Sequence, residues 1–197
     1  DVPRPGHSDF VAYHKFDGYN DYRGGGHFSG RLTLGLVAAG VVAKKVIPQV
    51  SIEARLIEAG GKTNIDEAIA EAQKQNDSIG GIVECVATGI PIGLGEPFFD
   101  SAESVIIHLA YSIPAVKGIE FGSGFAASRM KGSEHNDPII DSKGTTATNN
   151  AGGVNGGITN GNPLVFRIAV KPTSSIAKPQ QTLNIKSEKI ETLMVEG

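Results

Sequence analysis

Arg4-Pro5-Gly6-His7-Ser8-Asp9 puts an imidazole three residues after a permanent cation, across a rigid Pro-Gly turn. That setting can offer His7 to an anionic substrate as a proton donor, although an exposed loop histidine would use the same residues. Farther along, Arg23-Gly24-Gly25-Gly26-His27-Phe28-Ser29-Gly30-Arg31 runs a glycine cluster toward an expected helix start. Main-chain N–H groups at such a start, with two arginines, suit a phosphate, and Ser29 serves equally as a plain helix cap. The stretch lacks the Walker spacing, which argues against a nucleoside triphosphatase. Lys171-Pro172-Thr173-Ser174-Ser175 ends an apolar run with one ammonium and three hydroxyls. It can hold a phosphate or a polar ring edge, or be an ordinary solvated turn.

Other motifs carry less. Gly122-Ser123-Gly124-Phe125-Ala126-Ala127 matches a dinucleotide pattern, but no convincing helix or βαβ unit follows, so a strand-ending turn is expected. The histidines (His7, His14, His27, His108 and His135) show no metal-ligand spacing, and the lone Cys85 adds no thiolate framework, so no metal is expected. Cys85 lies in the apolar run Ile82-Val83-Glu84-Cys85-Val86 and reads as a small core residue, and His108 as structural. The net charge of −3 argues against a general nucleic-acid or membrane-surface binder, so any anion site must be a local cluster. The opening Asp1-Val2-Pro3-Arg4 has no signal-peptide pattern, and no apolar run is of membrane-spanning length. A reducing, cytoplasmic compartment is the expectation.

The elements that must position these residues alternate at first and then turn mostly to strand. Leu32, Leu36, Val37, Ala39, Gly40 and Ala43 predict a helix from about 29 to 45, with Lys44 and Lys45 at its cationic end. Residues 50–56 alternate as a strand, and Asn64 or Thr63 caps a helix over 65–75. A strand over 81–90, a helix from Asp100 or Ser101 to about Tyr111, and strands over 116–121 and 164–170 follow. Residues 181–185 and 189–195 predict a closing hairpin. The order suits an α+β fold or layered β-α-β arrangement better than a doubly wound parallel sheet. Eight of the 26 glycines cluster at 24–26 and, with asparagines, at 149–161, and the aperiodic stretch 130–150 is expected to be mobile.

Together, these phrases resemble the chorismate synthase family. They occur in family order: Arg4 to Asp9; Gly24-Gly25-Gly26 with Ser29 and Arg31; Val37-Ala38-Ala39-Gly40; Gly81 through Gly95-Glu96-Pro97; Ile113 to Gly118; Gly132 to Asp137; Asn149 to Gly161; and Lys171 to Ser175. The resemblance implies a single α+β domain over 1–197, a layered β-α-β sandwich, assembled as a homotetramer. It also implies a lyase of aromatic amino acid biosynthesis, the shikimate pathway. The reaction is anti-1,4-elimination of phosphate from 5-enolpyruvylshikimate 3-phosphate, with reduced FMN required but not consumed.

His7 matches the family's flavin-side proton donor, and Arg4, Arg31 and Ser29 match positions that hold substrate. Flavin contacts fall on His27, Phe28, Ser29, Pro114, Ala115, Gly156, Lys171, Pro172, Thr173, Ser174 and Ser175. Many members have Arg-Ser-Ser at His27-Phe28-Ser29, Arg-Glu-Thr at Arg31-Leu32-Thr33, and Asn at Pro114. The family's Gly-Glu-Ser-His-Gly and Arg-His-Asp-Pro segments are not in this sequence, and Gly60 to Asn64 looks short. A core with little or no activity is therefore expected. The alternative is a structural or oligomerisation core without a competent flavin site.

Overall fold

The computed structural model describes residues 2–195 of the chain. They fold as two compact units. Of the described residues, the first takes in 2–32, Glu58–Gly81 and 171–195; the second takes in Thr33–Ile57 and Ile82–Val170.

The second unit rests on a four-stranded sheet in the order β1-β2-β6-β3, where β1 is Ser51–Ala59, β2 Gly81–Thr88, β3 Val116–Phe121 and β6 Leu164–Val170. β3 and β6 are antiparallel, with Glu120 opposite Arg167 and Phe121 opposite Phe166. Period-two alternation sorts the side chains by face. One face supplies Ile52, Ala87, Leu164 and Phe166 to a core completed by Val154 and by Ala102 and Ile106 of helix α4 (Ala102–Ala110). Phe121 and Phe166 meet with ring centroids 5.5 Å apart. On the other face Arg55, Glu84, Arg167 and Glu120 form a row of alternating charge, one residue per strand. Arg55 Nη2 donates to Glu84 Oε1 at 2.9 Å, Arg167 Nε to Glu84 Oε2 at 3.0 Å, and Arg167 Nη1 lies 3.5 Å from Glu120 Oε1.

α4 begins where Ser101 Oγ accepts from Ser104 N at 3.0 Å, satisfying an N–H that the helix cannot bond itself. Helix α2 (Thr33–Val46) starts later than its hydrophobic pattern predicts, because two 3-10 turns, Gly26–Phe28 and Gly30–Leu32, take up the preceding residues. No residue of α2 is buried.

The stretch after β3 is irregular but heavily hydrogen-bonded. It contains the one-turn helix α5 (Gly132–His135) and a small antiparallel pair, β4 (Val154–Asn155) with β5 (Ile158–Thr159). Asp137 accepts from Thr148 Oγ1, Asn150 N and Ala151 N at 2.6, 2.8 and 2.9 Å. Gly122 is the expected strand-ending turn: its φ of +53° and the closeness of Asn150 O and Gly152 N leave no room for a Cβ. Cys85 is free and half-buried on β2, where burial pushes its thiol pKa up.

The first unit is built on short elements: α1 (Asp9–Lys15), α3 (Ile65–Lys74) and a hairpin of β7 (Gln180–Leu183) with β8 (Ile190–Leu193). Asn64 caps α3 by accepting from Glu67 N, as expected. Its buried apolar residues are alanines: Ala12, Ala59, Ala68 and Ala72. Among the described residues no helix is long and apolar enough to cross a membrane.

Candidate functional site

The Pro-Gly turn does what its residue types dictate. Gly6 takes φ +69°, a left-handed conformation that suits glycine, and His7 N closes the turn on Arg4 O at 3.2 Å. The chain then enters α1, whose first residue is Asp9. This brings three charged or titratable side chains together within six residues.

Arg4 Nε donates to Asp9 Oδ2 at 2.8 Å and Nη2 to Oδ1 at 2.9 Å, a two-point pairing of guanidinium and carboxylate. Arg4 N adds a third bond to Oδ2 at 3.1 Å. On its far side, Asp9 Oδ1 lies 2.6 Å from His7 Nδ1. Partial burial opposes the charge on Asp9, but the hydrogen bonds from Arg4 outweigh it and hold the carboxyl down to about 2. The same pairing raises the pKa of Arg4.

The segment after β6 joins this cluster. Arg4 Nη1 donates to Ser175 Oγ at 3.1 Å, and Lys171 Nζ to Gly6 O at 2.8 Å. A Cβ at Gly6 would just touch Ser174 Cβ, and Thr173 O accepts from Ser78 Oγ at 2.7 Å. Two motifs far apart in sequence, 4–9 and 171–175, thus form one site. Sequence reasoning did not single out Asp9 as a site residue. The signal was there: a carboxylate two residues after a histidine, across a turn.

His27 and Phe28 occupy a 3-10 turn, and Arg31 N donates to Ser29 Oγ at 3.3 Å. The glycine run therefore leads into this turn rather than directly into α2, and Ser29 lies four residues before the helix. Arg23 is held by Asp21, with Nε–Oδ1 2.9 Å, whereas the Arg31 and His27 side chains make no hydrogen bond or ion pair among the described residues. Pro114 and Ala115 sit in the connection from α4 to β3, with Ala115 at φ +72°; Gly156 is at the tip of the β4–β5 hairpin. His108 is exposed on α4. Among the described residues, no group of three or more His, Cys, Asp or Glu side chains is placed to hold a metal ion. The donors present (ammonium, guanidinium, hydroxyls and an imidazole) instead suit an anionic ligand with a polar ring edge.

Comparison with known proteins points one way. The family model described as chorismate synthase matches residues 1–197. The chain is 66% identical to a chorismate synthase of Chitinophaga pinensis over 198 aligned residues, covering 100% of this chain and 60% of that protein. It is 47% identical to one of Korarchaeum cryptofilum over 226 aligned residues, covering 99% and 63%. The greater aligned length means that the Korarchaeum protein carries insertions that the Chitinophaga protein does not. A crystal structure of chorismate synthase superposes with a TM-score of 0.79 at 28% identity, over 85% of this chain and 63% of that one. This chain thus spans about three-fifths of the length of these curated relatives. With a family match along its whole length and a shared α+β fold, the chain belongs to the chorismate synthase family.

Proposed function

We propose that this chain is the core of a chorismate synthase, a carbon–oxygen lyase that eliminates phosphate from 5-enolpyruvylshikimate 3-phosphate. The observation that carries the reading is His7. Its Nδ1 is committed to Asp9 while Arg4, Lys171 and Ser175 surround the same turn. A histidine held at one nitrogen can exchange a proton only through the other, as a general acid requires.

Lys171, Ser174 and Ser175, with His27, Phe28 and Ser29, would hold reduced FMN; Pro172, Thr173, Pro114, Ala115 and Gly156 match further contacts. The donor set on 171–175 fits a phosphate or ring edge. Bound reduced flavin would supply electron density to the breaking C–O bond. Arg31, whose guanidinium has no partner among the described residues, would take an anionic group of the substrate. Arg4 would reach substrate only at the expense of bonds to Asp9 and Ser175, so in this arrangement its first role is to brace the turn.

A fluorescence titration of FMN, with and without 5-enolpyruvylshikimate 3-phosphate, tests the reading. Saturable binding that the phosphate ester strengthens is expected, and Arg31→Ala should weaken that strengthening by on the order of tenfold. A folded chain that binds neither ligand would overturn it.

The second reading is a structural, self-associating core without a competent flavin site, and α2 favours its self-association. Leu34, Leu36, Val37, Val41, Val42 and Val46 lie around the helix and are 47% to 75% exposed. A helix apolar on all sides normally belongs inside an assembly. Sedimentation of the chain as a homo-oligomer, with a tetramer as the expected end state, would support this reading, and a monomer at every concentration would oppose it. A soluble, cytoplasmic enzyme acting on a small molecule belongs to the first reading.

A further inference from the structure

Two groups compete for one nitrogen of His7. Nδ1 lies 2.6 Å from Asp9 Oδ1 and 3.1 Å from Arg4 Nη2. A guanidinium N–H only donates and a carboxylate only accepts, so the proton on Nδ1 decides which approach is a hydrogen bond. Asp9 is ionised in any ordinary buffer, because Arg4 outweighs the cost of its partial burial. An unprotonated Nδ1 at 2.6 Å from that oxygen would set lone pair against lone pair. Nδ1 therefore carries the proton. The Arg4 approach is then a meeting of two donors, tolerated because Nη2 is itself bonded to Asp9 Oδ1 at 2.9 Å.

We propose that Asp9 is a positioning residue: it holds His7 with Nδ1–H donated to the carboxylate, leaving Nε2 as the only ring nitrogen that can give or take a proton. The functional meaning rests on the reading of His7 as a proton donor, whereas the geometry does not. The carboxylate cannot swing away with the ring, because Arg4 grips both of its oxygens and is itself held by Ser175 Oγ. Ser8 Oγ, at 3.5 Å from Nδ1, is too distant to compete. Among the described residues no other histidine lies within hydrogen-bonding distance of a carboxylate; His14 packs edge-on against Phe10 and Tyr13 instead. The arrangement is therefore particular to the imidazole that the family resemblance marks out.

The test is a proton–nitrogen NMR correlation across the His7 ring in the whole chain labelled at histidine, assigned by the signals lost in His7→Gln. In the wild-type protein Nδ1 is expected to be protonated at neutral pH; a bare Nδ1 there would overturn the proposal without any variant. In Asp9→Asn the Nδ1–H form should fall by at least about half, with the amide spectrum otherwise kept, because an amide can present a donor as readily as an acceptor. Asp9→Glu should restore it. An unchanged ring in folded Asp9→Asn would show that Asp9 serves only the turn. If the ring changes as expected but FMN and the phosphate ester do not bind, the reading of function fails while the positioning role stands.

Discussion

The Arg4–Asp9–His7 cluster and the Arg55–Glu84–Arg167–Glu120 row are made of nearly the same parts, yet they end differently. In the row every charge meets an opposite charge, and its last two members are tied into the backbone: Arg167 Nη1 donates to Gly122 O at 3.0 Å, and Phe125 N to Glu120 Oε2 at 3.1 Å. Glu84, Arg167 and Glu120 each have at least two partners, and only Arg55, at the exposed end, has one. The cluster also pairs an arginine with a carboxylate, but its last member is an imidazole with one nitrogen uncommitted. The first network fixes strand register; the second aims a titratable group. Ion pairs alone do not mark a functional site; a chain of them that ends on a group with spare chemistry does.

Breaking the row should cost the most. Glu84 is nearly buried, with a side chain only 12% exposed, and two arginines depend on it. Glu84→Ala would leave Arg167 without its best partner beside the sheet and should destabilise the chain by about 2–3 kcal/mol, read as a shift in urea unfolding midpoint. The more exposed Asp9 should cost less when changed to Asn. Equal costs would mean that the cluster is a structural staple too, and the contrast would collapse.

Acid separates the same two regions. The hydrogen bond from Arg55 leads in holding the Glu84 carboxyl below its usual range, and Arg4 holds Asp9 down to about 2. Both folded-state pKa values are depressed. Each carboxylate therefore contributes stability that is complete above the unfolded value and is lost as pH falls through the folded one. Unfolding followed from pH 5 to 2 should show the wild type losing stability mainly below pH about 4. Asp9→Asn should flatten that loss more than Glu84→Gln does, since the Asp9 carboxyl is held farther below its usual range.

Much of the second unit was legible in the sequence because its signals are local. Strands 116–121 and 164–170 fall where they were expected, and Ser101 caps the helix whose start it marks, as Asn64 does in the first unit. The start of α2 was placed too early because hydrophobic spacing cannot distinguish a 3-10 turn from the first turn of an α-helix. Helix α1 went unseen: seven residues with one buried alanine carry almost no amphipathic signal. The stretch 130–150 looked structureless because its order lies in side-chain bonds such as those of Asp137, which follow no period. His7, Lys171 and Ser175 were legible as candidates by type and family likeness. Their meeting was not, since it depends on contacts across more than 160 residues of sequence.

Asp137 sharpens the comparison from a third position. Its three acceptor bonds organise 148–151 without an ion pair among the described residues, so Asp137→Asn should remove or invert one of them. The expected cost is about 1–2 kcal/mol. Hydrogen exchange should quicken at Asn150 and Ala151 while the sheet amides stay protected. Faster exchange across β3 and β6 as well would mean that the loop and the charged row act as one network.

The smallest effect should come from strain. Ala115 holds φ +72°, a left-handed conformation that an L side chain enters at a cost and glycine does not. Strain kept at a residue is reasonable where its backbone has to face a ligand, and Ala115 is among the flavin contacts proposed above. Ala115→Gly should relieve it, although glycine's greater freedom in the unfolded chain offsets part of the gain. The net stabilisation should be at most about 1 kcal/mol, seen as a small rise in Tm. FMN binding decides what the strain is for. If affinity stays constant while stability rises, the turn is merely tight. If affinity falls, the αL backbone at Ala115 is preorganised for the cofactor, placing chemistry in the second unit as well as in the cluster around His7.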